Sequence, residues 1–181
     1  MKQGPAWLIL GAVSVTMAVA GYQIGALHRI AEAPATATTS AKGVIQGLVL
    51  TDIKGQAQGI DQWRGKVLVL NYWATWCHPC REEMPGFSRL QDKYRDKGVQ
   101  FVGISIDTAE KIIEFQKETP VNYPLLIGDM AIMRSSAEFG NDRQALPFTA
   151  VLNRDGRLAM TRLGRWTESD LELKLLGLIS P

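Results

Sequence analysis

Hydrophobic and polar positions change their pattern several times along the chain. Residues 6–27, "AWLILGAVSVTMAVAGYQIGAL", carry no charge. At about 1.5 Å per helical residue they would span roughly 33 Å, enough for a bilayer core. Residues 1–29 therefore read as a membrane anchor, a single N-terminal hydrophobic helix, or as a signal segment cleaved after the A-x-A sequence that ends at Ala20. Residues 30–43, "IAEAPATATTSAKG", lack periodicity and read as a flexible linker. From residue 44 to 181 the text is that of one globular domain.

Within that domain "GLVLTDIKGQAQGI" alternates around Lys54-Gly55 and predicts a short hairpin. "KVLVLNYW", ending at Trp73, is a continuous apolar run, as expected of a strand buried on both faces. A helical pattern follows to about Lys97, with Cys80, Met84, Phe87, Leu90 and Tyr94 on its inward face and a kink expected at Pro85. "VQFVGISID", 99–107, predicts a second buried strand, and 108–119 a helix with Thr108 as N-cap. "YPLLIGD" predicts a short strand, and "MAIMRSSAEFG" a short helix ended by Gly140. "FTAVLN" and "RLAMTRLG" form a hairpin around Asp155-Gly156. A last helix begins at Thr167, with Asp170 in a capping-box position and Leu171, Leu175 and Leu178 on one face. The order implies an α/β fold with a central mixed β-sheet flanked by helices.

Charge narrows the partners. The 20 basic and 18 acidic residues leave a net charge of +2. Lys2 and Arg29 supply that excess, so the remainder is balanced. No basic face argues for nucleic acid.

The chemistry concentrates in "NYWATWCHPCREEMP", which holds both cysteines of the chain, Cys77 and Cys80. A C-x-x-C pair fits a redox or a metal role. As a purely structural clip it would close too short a loop to add much stability. Placed after a buried strand and at a helix start, Cys77 faces free N–H groups and the positive end of the helix dipole, which favour its thiolate. Cys77 would then be exposed and attack, while Cys80, one turn deeper, would resolve the mixed disulfide. Pro79 is tolerated in the first turn because its missing N–H has no helical partner there. His78, as imidazolium, would stabilise the neighbouring thiolate and make the pair more oxidising; otherwise it is a solvated side chain. A metal site would have only Cys77, Cys80 and His78 to draw on, short of a tetrahedral set, and a thiol-rich copper carrier fits better than zinc. Haem attachment would need histidine where Arg81 stands.

"NYWATWCHPC" resembles the W-C-x-x-C active site of the thioredoxin superfamily. With "REEMP", "LPFTAVLNRDGRL" and the apolar N-terminus, residues 44–179 resemble the membrane-tethered TlpA/ResA/CcmG-type thiol-disulfide oxidoreductases. The resemblance implies a thioredoxin-like fold and disulfide exchange through a redox-active Cys77–Cys80 disulfide, with no cofactor and no metal. It implies that Pro147 is the cis-proline beside the site, that the Leu146 backbone pairs with an extended substrate segment, and that Trp73 and Trp76 frame the cysteines. Trp76, His78, Pro79, Leu146 and Pro147 are thus the expected substrate-binding residues.

Thioredoxin proper has an aspartate six residues before its first cysteine, and here Asn71 stands there. Relatives of the anchored type carry a glutamate six residues after it, and here that is Glu83. Glu83 is expected to move the proton of Cys80; the alternative is a solvated first-turn glutamate, which is the expectation for Glu82. A peroxide-reducing relative would need Thr-x-x-Cys, whereas Thr75 lies two positions before Cys77. The implied clients are exported protein thiols or disulfides, apocytochrome c among them, with a membrane thiol-disulfide carrier as electron donor. The implied location is the periplasmic side of a bacterial inner membrane, held through residues 6–27. A general disulfide reductase or isomerase and a copper-handling protein are the alternatives.

Overall fold

The computed structural model describes residues 45–179. The expected anchor or signal segment and the linker lie outside the described residues. Among the described residues, no helix is long and apolar enough to cross a membrane.

Seven strands form one sheet: β1 (Val49–Asp52), β2 (Ala57–Gly59), β3 (Val67–Trp73), β4 (Val99–Ser105), β5 (Leu125–Ile127), β6 (Phe148–Leu152) and β7 (Leu158–Leu163). Their spatial order is β2-β1-β5-β4-β3-β6-β7. β3 and β4 run parallel, as do β4 and β5, while β6 lies antiparallel to β3 and β7 to β6. The sheet is therefore mixed, as expected. The β1–β2 hairpin forms one edge by pairing antiparallel with β5.

Helix α1 (His78–Tyr94) follows β3, and a 3-10 turn at Arg95–Lys97 completes the helical stretch that the sequence predicts. The helix continues through Pro85. α2 (Ala109–Glu118) follows β4. Thr108 occupies its N-cap position, but its side chain makes no capping hydrogen bond. α3 (Met130–Ser135) is shorter than the expected helix, because residues Ser136–Phe139 tighten into a 3-10 turn before Gly140 ends it at φ 98°. α4 (Glu168–Ile179) is the last described element, with the Asp170 N–H donating to Thr167 Oγ1 at 3.2 Å.

All seven residues of β3 are buried, and their alternation decides what each one meets. Val67, Val69 and Trp73 pack with Met84, Phe87 and Leu90 of α1, Ile112 and Phe115 of α2, and Leu171 and Leu175 of α4. Leu68, Leu70 and Tyr72 pack on the other face with Ile60, Trp63, Met133, Phe139 and Phe148. Asn71 has the parity of Val69 and Trp73, so this buried polar side chain points toward α1 rather than toward α3. Leu178 is only partly buried, so the apolar face of α4 rests chiefly on Leu171 and Leu175.

Candidate active site

The site grows from the end of β3. After Trp73 the chain makes a tight turn in which the Cys77 N–H donates to the Ala74 carbonyl at 3.1 Å. Cys77 is then the N-cap of α1 in extended conformation, and Pro79 falls within the first helical turn. Free N–H groups and the positive helix end thus lie where the sequence places them, at the first cysteine. Cys77 and Cys80 are joined as a disulfide, with their Cα atoms 5.3 Å apart.

The expected difference in access is present but small. Cys77 is 5% exposed and Cys80 fully enclosed. The expectation of an exposed Cys77 is corrected to a nearly buried one. The bridge holds its sulfur against Cys80, within the apolar cluster of Trp73 and Met84. Trp76 supplies the exposure instead, at 67%. Trp73 is wholly buried and tilts against Phe115 at 4.8 Å between ring centroids.

His78 is directed to the rim. Its imidazole Nε2 lies 3.2 Å from Glu82 Oε1, and the side chain is 84% exposed. Arg165 also pairs with Glu82. The imidazole is therefore engaged by a surface carboxylate in bulk-like solvent, where its influence on a neighbouring sulfur is screened.

Glu83 has the opposite surroundings. It is 3% exposed, on the face of α1 turned to the sheet. Oε1 accepts from Asn71 Nδ2 at 2.8 Å, and Oε2 accepts from the backbone N–H of Trp166 at 2.9 Å. Asn71 Nδ2 also lies 3.3 Å from Thr149 Oγ1 of β6. Burial pushes the Glu83 carboxyl up to about 7, partly opposed by these hydrogen bonds and by the positive charges of Arg165 and Arg162. A carboxyl so placed exchanges its proton near neutral pH, which suits a general base for a buried thiol. Glu83 is thus a buried, hydrogen-bonded group and not a solvated first-turn glutamate.

The Leu146–Pro147 peptide bond is cis. Register brings it to the site: Tyr72 pairs with Phe148, so Pro147 lies beside the end of β3 where the active-site turn begins. Pro147 is buried and its carbonyl accepts from the Gly164 N–H at 2.9 Å. Leu146 is half-buried, and among the described residues its backbone N–H and C=O make no hydrogen bond.

Three contributors escape a reading of the sequence. Trp166 acts through its backbone N–H, which leaves no signature in residue type. Thr149 is one of two polar residues in "FTAVLN", and nothing in its type marks it. Asp107 closes an apolar run, a signal that could have been used. It is 7% exposed and accepts from both the N–H and the hydroxyl of Thr75, at 2.7 and 3.0 Å. Among the described residues, no group of three or more His, Cys, Asp or Glu side chains could hold a metal ion.

Known proteins bear the same stamp. The Redoxin family profile matches residues 31–175. The chain is 30% identical over 125 residues to a thiol-disulfide oxidoreductase ResA of Bacillus cereus, covering 68% of this chain and 70% of that protein. It is 32% identical over 130 residues to the thioredoxin-like protein YneN of Bacillus subtilis (strain 168), covering 70% and 73%. Among solved structures, a thiol:disulfide interchange protein of the thioredoxin family from Chlorobium tepidum TLS superposes with a TM-score of 0.67 at 21% identity, over 74% of this chain and 93% of that one. That likeness supports the fold.

Proposed function

The chain belongs to the Redoxin family and is a thiol-disulfide oxidoreductase of the thioredoxin superfamily, and on that premise we propose that it works as a reductant of exported protein disulfides. In the reduced enzyme the Cys77 thiolate attacks one sulfur of a client disulfide. A mixed disulfide forms, and the client's first sulfur leaves as a thiolate that takes a proton from solvent. Cys80 then gives its proton to Glu83 and attacks Cys77. The client's second sulfur leaves as a thiolate and takes up the proton that Glu83 gives back, and the Cys77–Cys80 disulfide closes. Two electrons and two protons pass to the client, so a dithiol donor must reset the enzyme. No other cofactor is required.

The observation that carries this reading is the buried Glu83 on the helix turn after a fully enclosed Cys80. It offers a base to the thiol that solvent cannot reach. As a carboxylate it also opposes a second negative charge nearby, which disfavours accumulated thiolate and leaves the reduced form less stabilised. His78 would act in the other direction, but its imidazole faces Glu82 at the rim. The free Leu146 backbone beside the cis-proline supports docking of an extended client segment by strand-like hydrogen bonds, with Trp76, Pro79 and Pro147 framing it.

Apocytochrome c is the client class that the family resemblance favours, with a membrane thiol-disulfide carrier as donor. Retention at the periplasmic face through residues 6–27 fits both. Two measurements test this. The reduction potential should lie nearer to thioredoxin's, about −270 mV, than to the roughly −120 mV of a strong oxidant; a value at the oxidising end overturns the direction. Clients trapped on Cys80→Ala should be enriched in apocytochromes, and a broad set of secreted proteins would select the general reductase instead.

A further inference from the structure

Asp107 is a nearly buried carboxylate that the exchange chemistry does not use. It lies just past the end of β4, where β3 and β4 part. The last paired residues are Trp73 and Ser105. Beyond them one chain enters the active-site turn and the other runs toward α2. Asp107 bridges this fork: its Oδ2 accepts from the Thr75 N–H at 2.7 Å and from Thr75 Oγ1 at 3.0 Å. Its own N–H donates to Ser105 Oγ at 3.2 Å. Lys111 Nζ of α2 stands 3.8 Å from Oδ1.

The plain alternative is an acidic residue placed for the N-terminus of α2. The hydrogen bonds argue against it. Among the described residues, no N–H of α2 donates to Asp107, and both bonds to its Oδ2 come from Thr75. Thr75 is the second residue of the turn closed by Cys77 N–H and the Ala74 carbonyl. The residue between Thr75 and Cys77 is Trp76, which projects into solvent. One carboxylate thus fixes the turn from which both the attacking sulfur and the exposed indole are presented. Neither cysteine takes part in the clasp, whose bonds run only between Asp107 and Thr75.

We infer that Asp107 is a positioning residue for thiol exchange: by clasping Thr75 it presents Trp76 and Cys77 together to a polypeptide client. The inference rests on the exchange activity described above and adds a requirement for client docking. Hydrogen bonds to a charged acceptor are among the stronger ones, and a small misplacement of reacting groups lowers rates steeply.

The test compares full-chain Asp107→Ala, Asp107→Asn, Thr75→Val and Thr75→Ser, each fully reduced. Exchange rates are measured against a peptide with an internal disulfide and against hydroxyethyl disulfide. Wild-type exchange with the small disulfide reports the basic activity, so its failure is separable from failure of the clasp. Because both Thr75 donors use one oxygen, an asparagine can keep that acceptor, and serine keeps the hydroxyl. Asp107→Ala should slow the peptide reaction about tenfold and the small disulfide about threefold or less. Asp107→Asn and Thr75→Ser should stay within about twofold of wild type, with Thr75→Val between. Wild-type peptide rates in Asp107→Ala, or Asp107→Asn as slow as Asp107→Ala, would overturn the inference. So would equal slowing with both disulfides. Should Asp107→Ala fail to fold, the Thr75 pair decides: Thr75→Val exchanging with the peptide as fast as Thr75→Ser also overturns it.

Discussion

Glu82 and Glu83 are neighbours in the first turns of α1, yet they belong to different regions of the molecule. Glu82 stands on the rim, 41% exposed, between His78 and Arg165. Glu83 lies on the floor, enclosed by α1, β3 and the segment before α4, and its two oxygens accept from Asn71 and Trp166. A rotation of about 100° around the helix axis separates a screened surface charge from a carboxyl that titrates near neutrality. Helix geometry supplies the rotation; the sheet and the Trp166 segment supply the enclosure. In sequence Glu82 is even one residue nearer to the cysteines than Glu83. Reactivity here therefore depends on which wall a side chain meets.

The floor should dominate every measurement of exchange. Cys77→Ala should reduce disulfide exchange to the uncatalysed rate and trap no clients, while Cys80→Ala should accumulate mixed disulfides; trapping on Cys77→Ala would reverse their roles. Next in size, Glu83→Gln should slow resolution of the mixed disulfide by about a hundredfold at neutral pH. It should also remove an inflection near pH 7 from the rate profile, which stopped-flow measurement across pH 5 to 9 would show. An unchanged profile would move the proton elsewhere.

The same residue makes a prediction for stability, and its sign is definite. The Glu83 carboxyl is held at about 7 in the fold against 4.5 in an unfolded chain. The folded oxidised protein therefore binds the proton more tightly. That contribution is fully present below about pH 4.5 and is lost as pH rises through 7. It amounts to at most on the order of 3 kcal/mol. Denaturant titrations should show the decline in wild type and a flatter course in Glu83→Gln. The smallest effects belong to the rim. Glu82→Gln and His78→Ala should change stability by about 0–1 kcal/mol and exchange rates by about twofold or less. A large loss in His78→Ala would give the rim a share of the chemistry after all.

The C-x-x-C and its surroundings were legible because they are local. A buried run, a turn, and a proline in the first helical turn mark Cys77 as the start of α1 from consecutive residues alone. The inward face of α1 could be read for the same reason, since its spacing of three and four reflects helix geometry alone. Cys77's near-burial could not, because it depends on packing against Trp73 and Met84. Asn71 and Glu83 could each be singled out, but their direct bond could not. It requires β3 to present Asn71 on the face that α1 covers. Thr108 teaches the reverse. Its type and place predict a cap, yet its side chain makes no capping bond.

The sequence by itself determined the order of elements, the mixed sheet and the identity of the two redox sulfurs, because those follow from periodicity and from chemistry confined to a few consecutive residues. Tertiary structure alone decided that Glu83 is a neutral-range acid rather than a surface charge, that Trp166 holds it from across the chain, and that Asp107 reaches the active-site turn from β4. Burial and hydrogen bonding depend on which distant segments are brought into contact. Here they join residues 83 and 32 positions apart, a separation that no local pattern records.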